Sequence, residues 1–154
     1  MTVTPPIVSP PSTVYEDVCA LKDLLAGFLL ADPPPLNWCQ LGSPVTTCES
    51  WAVGTTSVHQ DPLNLLGGNE CQMLTTLDLI AIVARECNFE ADENGFTDPA
   101  QVVAASVQQD ADTTALLAWA ESLARPAATS SVVSYNSEGG LAITTLTTSA
   151  YAGW

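Results

Sequence analysis

Positive charge is what this chain has least of. Lys22, Arg85 and Arg125 are its only basic residues, set against seventeen acids, and the net charge at pH 7 is -14. A protein that grips DNA or RNA neutralises phosphates with Lys and Arg. That footprint is missing, which excludes tight nucleic-acid binding. Histidine is scarce as well. His59 stands alone in a Thr/Val stretch, with no acid after it until Asp61. A cysteine hydrolase needs a base within reach of its thiol and a third group to orient that base, and no spacing here points to one. Cys-x-x-Cys is also absent. Cys39, Cys48, Cys71 and Cys87 are separated by 8, 22 and 15 residues, which matches no common zinc pattern. No phosphate loop or dinucleotide fingerprint occurs; Gly67-Gly68 and Gly139-Gly140 read as turn glycines. No run approaches the roughly 18 apolar residues of a membrane span. The start, Met1-Thr2-Val3-Thr4-Pro5-Pro6, has neither the basic region nor the apolar run of a signal peptide. The five cysteines, Cys19 included, are therefore expected as free thiols of a protein made in a reducing cytoplasm.

What is present suits a single domain. A chain of 154 residues with 47% hydrophobic content can build a real core. Only 13% of its residues are charged, about half the usual quarter. Thr, Ser, Asn and Gln must supply the polar surface, and some surface is expected to be hidden in an assembly. The acid excess has two readings. It keeps a Thr/Ala-rich protein soluble, or it forms a surface that repels nucleic acid, such as the wall of a channel that DNA passes through.

The pattern along the chain divides it into an extended arm, residues 1–12, a domain, 13–148, and a short tail, 149–154. Pro5, Pro6, Pro10 and Pro11 forbid a helix in the arm. A helix is predicted over Val14–Leu30, with Thr13 and Glu16 as a capping box. Pro33-Pro34-Pro35 stops it. Short strands are predicted over 36–41 and 48–59, with a turn at Gly42-Ser43-Pro44 and a bulge at Gly54. The next strand, 71–87, is apolar on both faces in its middle. It reads as a central strand covered on two sides, long enough to project and pair with a neighbour. An acidic loop, 88–97, follows. Its Asp92-Glu93-Asn94-Gly95 lacks the alternating oxygens and closing Glu of a calcium loop. A helix then starts at Asp98-Pro99 and runs to about Ala124. Val103, Val107, Ala111, Leu117, Ala120 and Ala124 mark one face of it, with Ala content that suits close packing on the sheet. A hairpin, 130–136 with 140–148, ends the domain. The fold class is α+β: a mostly antiparallel sheet with two main helices packed on it and a C-terminal β-hairpin.

The combination of an N-terminal amphipathic helix, the strand ending Val83-Ala84-Arg85-Glu86-Cys87, the acidic loop, the Asp98-Pro99 helix with Leu116-Leu117-Ala118-Trp119-Ala120, and the last strand from Glu138-Gly139-Gly140 to Thr147 resembles the tail-terminator and head-to-tail connector (neck) proteins of long-tailed actinobacterial bacteriophages. The likeness spans residues 13–148 and rests on element order and length, without a diagnostic motif. It implies a structural virion protein rather than an enzyme: a homo-oligomeric ring, commonly a hexamer, that caps the tail tube and joins it to the head connector, or a neighbouring adaptor or stopper ring. The implied partners are other copies of the chain, the major tail tube protein and the connector or stopper protein. DNA would pass through the lumen without specific binding. No cofactor, metal or membrane is implied, and the place is the virion neck, after synthesis in the host cytoplasm. Charge alone makes Glu90, Asp92 and Glu93 the expected lumen or docking contacts. Pro5, Pro6 and Ile7 of the arm, Arg85 and the terminal Trp154 are the expected subunit contacts. An enzyme with an unmarked carboxylate or thiol site and a free binding domain remain as readings from other classes.

Overall fold

The computed structural model describes residues 13–62, 73–86, 98–138 and 140–152. Helix α1 spans Val14–Ala26, β1 Leu36–Leu41, β2 Ser50–Pro62, β3 Met73–Glu86, α2 Pro99–Ser122, β4 Val132–Glu138 and β5 Leu141–Tyr151. The strands form one sheet in the order β1-β2-β3-β5-β4, parallel only between β1 and β2. The chain is thus α+β, with a mixed but mostly antiparallel sheet, two helices and a C-terminal β4–β5 hairpin.

Local chemistry starts both helices. The Thr13 hydroxyl accepts from the Glu16 N–H at 3.1 Å, satisfying one orphan donor of the first turn. The Asp98 carboxylate accepts from the Ala100 N–H at 3.0 Å, ahead of Pro99. Helix α1 ends at Ala26, with Gly27 as its C-cap, earlier than the expected Leu30. The prolines beyond it are therefore not what stops it.

Both helices cover the same face of the sheet. Val18, Leu25 and Leu29 from the first segment meet Trp51 and Val53 of β2, and Leu77, Leu79, Ala81 and Val83 of β3. Leu116, Trp119, Ala120 and Leu123 close the core over Leu146 and Ala150 of β5. The buried Trp119 indole donates to the Leu21 carbonyl of α1 at 3.0 Å, which locks the helices together. On the opposite face, Ile82, Ala84 and Ile143 form a second, smaller cluster flanked by Ile80 and Leu141.

Three sequence expectations change and one gains its connection. First, β3 is central and apolar on both faces as read, but it has no spare edge. From Met73 to Ala84 it pairs with β2, and from Thr76 to Glu86 with β5. Its length is used inside its own sheet, because both neighbours are long as well. Second, the expected turn at Gly42-Ser43-Pro44 is present, with Gly42 at φ 94°, and it leads into a parallel strand. The chain crosses the helix-free face and re-enters as the parallel β2 within residues 42–49, short for a parallel crossover, which commonly takes about a dozen residues. Third, Cys19 and Cys39 are not free thiols. Helix α1 lies along β1, which brings their Cα atoms to 5.2 Å, and they form a disulfide. Such a staple contributes about 3 kcal/mol for a loop of this size. Cys48 is free and exposed; Cys71 and Cys87 lie outside the described residues. Fourth, the α2 face expected from Val103, Val107, Ala111, Leu117, Ala120 and Ala124 is packed only in part: Ala120 is buried, with Leu116 and Leu123 beside it, while Val103, Val107, Leu117 and Ala124 are exposed, so the face that meets the sheet lies further round. It is the row Ala105, Gln109, Asp112, Leu116, Trp119 and Leu123, whose members are buried or half-buried.

Gly54 makes the short crossover possible. The expected bulge sits just after it, between Thr55 and Ser57. A Cβ at Gly54 would lie 2.1 Å from the Gly42 carbonyl oxygen and 3.0 Å from Pro44 Cδ. Backbone oxygen cannot swing aside like a side chain. Gly54→Ala is expected to lower stability by about 2 kcal/mol or more, read as a shifted urea midpoint at unchanged slope.

Candidate assembly surfaces

All three cations of the chain are engaged internally. The Lys22 ammonium sits 4.8 Å from the centre of the Trp51 ring, a cation–π contact, donates to Asn37 Oδ1 and lies 3.8 Å from Asp23. Arg125 donates to Ser131 Oγ at 3.0 Å. Arg85, at the end of β3, forms two bonds of 2.7 Å to the Asp112 carboxylate, one from Nε and one from Nη2. Its Nη1 and Nη2 also reach the carbonyls of Asp32 and Ala31, at 2.9 and 3.2 Å. Asp32 has a left-handed backbone, φ 49°, so Arg85 holds the turn after α1 in a shape that few residues favour. The bonds to Asp112 push the Arg85 pKa up, against the opposing effect of burial. With its cations so occupied, the outer surface carries an almost unrelieved negative charge.

A second polar cluster lies on the helix-free face, around the bulge. Ser149 Oγ donates to Asp78 Oδ1 at 2.7 Å, and Ser57 Oγ donates to Oδ2. His59 Nδ1 stands 3.6 Å from Oδ2. The Thr55 hydroxyl donates to the Asp78 carbonyl at 2.8 Å. Ser, His and Asp together invite comparison with a hydrolase triad. There, the serine proton goes to the imidazole and the carboxylate orients the imidazole from behind. Here each serine spends its single proton on the carboxylate itself. The cluster fastens the bulge and, as placed, does not build a nucleophile. Cys48 precedes β2, and His59 lies near its far end, about 30 Å away at strand rise. Among the described residues no group of three or more His, Cys, Asp or Glu side chains could hold a metal ion. No described helix is long and apolar enough to cross a membrane.

Among the described residues, apolar side chains stand exposed along the sheet edges and on one helix face. β1 exposes Leu36 and Leu41, and β4 exposes Val132 and Tyr135. Tracing the pairings across the sheet, β1 and β4 run in opposite directions. The first half of α2 exposes Val102, Val103 and Val107.

Of the residues expected to matter, only Arg85 falls among those described, and its guanidinium is committed within the chain to Asp112, Asp32 and Ala31. Pro5, Pro6, Ile7, Glu90, Asp92, Glu93 and Trp154 lie outside the described residues. Sequence reasoning missed Asp112, the Asp78 cluster and the outward face of α2. Asp112 stood inside the polar stretch Gln108–Asp112, where a single acid on the helix's buried row was the available signal. Compared with protein-family models and with curated proteins, the chain matches none.

Two outcomes test these clusters. Asp112→Ala leaves Arg85 buried without its anion and is expected to cost about 3–5 kcal/mol. The double change Arg85→Met with Asp112→Leu is expected to cost less than Asp112→Ala alone, by chemical unfolding. The hydrogen bonds of Ser57 and then Ser149 lower the Asp78 pKa, with a smaller contribution from His59, while desolvation opposes them. A carboxylate depressed on folding adds stability above its unfolded value and loses it as pH falls through the folded one. The window therefore lies below the ordinary 3.8. Asp78→Asn is expected to be less stable at neutral pH and to decline less steeply below that value, measured by thermal melts across pH.

Proposed function

We propose that this chain is a structural subunit of a bacteriophage neck, a tail-terminator ring that caps the tail tube and joins it to the head connector. One observation carries the reading beyond the resemblance. The two open edges of the sheet, β1 and β4, have opposite strand directions and lie at opposite sides of one sheet. A neighbour related by rotation therefore sets its β4 against this β1 in antiparallel register. Each copy then offers one edge and accepts the other. Such a head-to-tail contact makes a closed ring when the rotation closes, and it removes the exposed edges that a monomer must otherwise protect. Carried across the joint in the sheet's own register, Val132 would face Gln40 beside Leu41, and Leu36 would face Asn136 beside Tyr135.

The charge suits the same part. A ring of anionic subunits presents DNA with a lumen to which it does not adhere. The Cys19–Cys39 disulfide fits a particle that meets an oxidising exterior after synthesis in a reducing cytoplasm. An adaptor or stopper ring shares this design and differs in what it seats upon.

Light scattering on the separated protein, with electron microscopy of particles mixed with purified tail tubes, tests the proposal. The expected result is a ring-sized species, near six copies, that caps tube ends; capping of connectors instead would assign the adaptor or stopper position. Leu36→Lys with Val132→Lys is expected to leave a folded monomer. A chain that stays monomeric at high concentration and binds neither tubes nor connectors would overturn the reading.

A further inference from the structure

Helix α2 has two apolar faces, and among the described residues only one is packed. The inward row, from Ala105 through Asp112 to Leu123, seats on the sheet and α1. On the outward side, at helical spacing, stand Ala100, Val103, Val107, Ala111, Thr114 and Ala118. Val103 and Val107 are 63% and 66% exposed. A groove of about 260 Å³ continues this surface toward the C-terminal half, between Ala111, Ala115 and Ala118 on one wall and Phe28 and Leu30 on the other. Leu30 is 80% exposed at its rim. A helix apolar on opposite sides belongs in an interior. The segment before Asp112 is also short of packing: residues 98–104 and 106–108 are all exposed. Three turns of helix held only through half-buried Ala105 and Gln109 are marginal in water.

Charge decides what covers this face. The ionised side chains on this side of α2, Asp110 and Glu121, are acids and exposed, and so is Asp32 by the groove. Lys22 and Arg125 are tied up elsewhere, and Arg85, beside the groove, is committed to Asp112 and to the carbonyls of Ala31 and Asp32. A second copy laid here would bring carboxylates to carboxylates with no uncommitted cation of its own to separate them. We infer that the outward face of α2, with the groove under Leu30, docks a different protein, through an amphipathic helix whose apolar side is flanked by Lys and Arg. The small residues Ala111, Ala115 and Ala118 let a helix axis approach to about 8–10 Å, and the partner's cations meet Asp110, Glu121 and Asp32. This surface is separate from the sheet edges, so the inference stands whether or not the ring forms.

The test uses the full chain and two synthetic helical peptides of about five turns. They share one Leu/Ala face, and Lys flanks that face in one peptide and Glu in the other. Titration calorimetry and amide chemical shifts are the readouts. The Lys peptide is expected to bind, more weakly as salt rises, with shifts gathered at residues 100–118 and 28–31; the Glu peptide is not. Val103→Glu with Val107→Glu is expected to reduce affinity about tenfold, equal to 1.4 kcal/mol, at unchanged melting temperature. This variant adds negative charge, so a purely electrostatic association would tighten instead of weaken. Four results would overturn the inference. They are no binding of the Lys peptide, equal binding of both peptides, binding undiminished in the variant, or a self-association of the parent chain that the variant abolishes. The last would make a second copy the occupant. A lowered melting temperature in the variant would show the face to be covered by the chain itself, and would also overturn it.

Discussion

Burying one carboxylate where no water reaches it sets the terms for the rest of this fold. Asp112 is 2% exposed, and an unpaired charge at such depth costs several kcal/mol. Arg85 answers with a two-point bond, the geometry in which guanidinium and carboxylate match best. Its remaining donors then go to the carbonyls of Ala31 and Asp32. One side chain thereby ties together the end of the central strand, the middle of α2 and the turn leaving α1. Such a pair contributes little net stability against an apolar replacement, because desolvation offsets most of the attraction. What it fixes is orientation. With Asp112 pinned inward, α2 cannot roll, and the indole of Trp119 bonded to Leu21 about two turns further on pins it again. The outward direction of Val103 and Val107 follows from those two bonds.

The same pair divides α2 in function. From Asp112 onward the helix is anchored by buried Leu116, Trp119 and Ala120. Before it, the attachments are lighter: Gln109 donates to the Ile143 carbonyl at 3.3 Å, and Thr113 just beyond bonds the Tyr135 hydroxyl at 2.8 Å. A helix with one half embedded and the other lightly held will open locally from the light end. The embedded half keeps the direction of the free half even while the latter frays. The docking element proposed for α2 would thus have a fixed aim and a soft tip.

Much of this was legible in the sequence where the cause is local. The cap at Thr13, the start at Asp98-Pro99 and the hairpin depend on neighbours within a few residues, and the central position of the 73–86 strand shows in its own run, apolar on both faces, although its partner β5 is far along the chain. The failures share a different cause. The Val103–Val107–Ala111 stripe was read as the buried side because apolar residues at helical spacing mark a packed face; α2 carries two such faces, and periodicity cannot rank them. Asp112 argued for solvent until its partner, 27 positions away on β3, was in place. Cys19 and Cys39 were paired by the folding of α1 along β1, which no linear spacing encodes. The crossover between β1 and β2 depended on Gly54 being bare on the side facing Pro44. The residues expected to carry contacts in the arm, the acidic loop and the tail are untouched by any of this.

Charge and backbone together restrict how such a chain can assemble. With its three cations held inside, two copies cannot form the complementary ion pairs that steer many interfaces. Self-contact must then rest on groups without net charge: the free N–H and C=O rows of β1 and β4, and the apolar side chains that stand beside them. The proposed edge pairing would have that character, since each of its backbone hydrogen bonds is neutral. Added salt would screen the mutual repulsion and favour association between copies, yet weaken any contact with a cationic partner. The two classes of surface therefore respond to ionic strength in opposite directions, because one works against the chain's net charge and the other works through it.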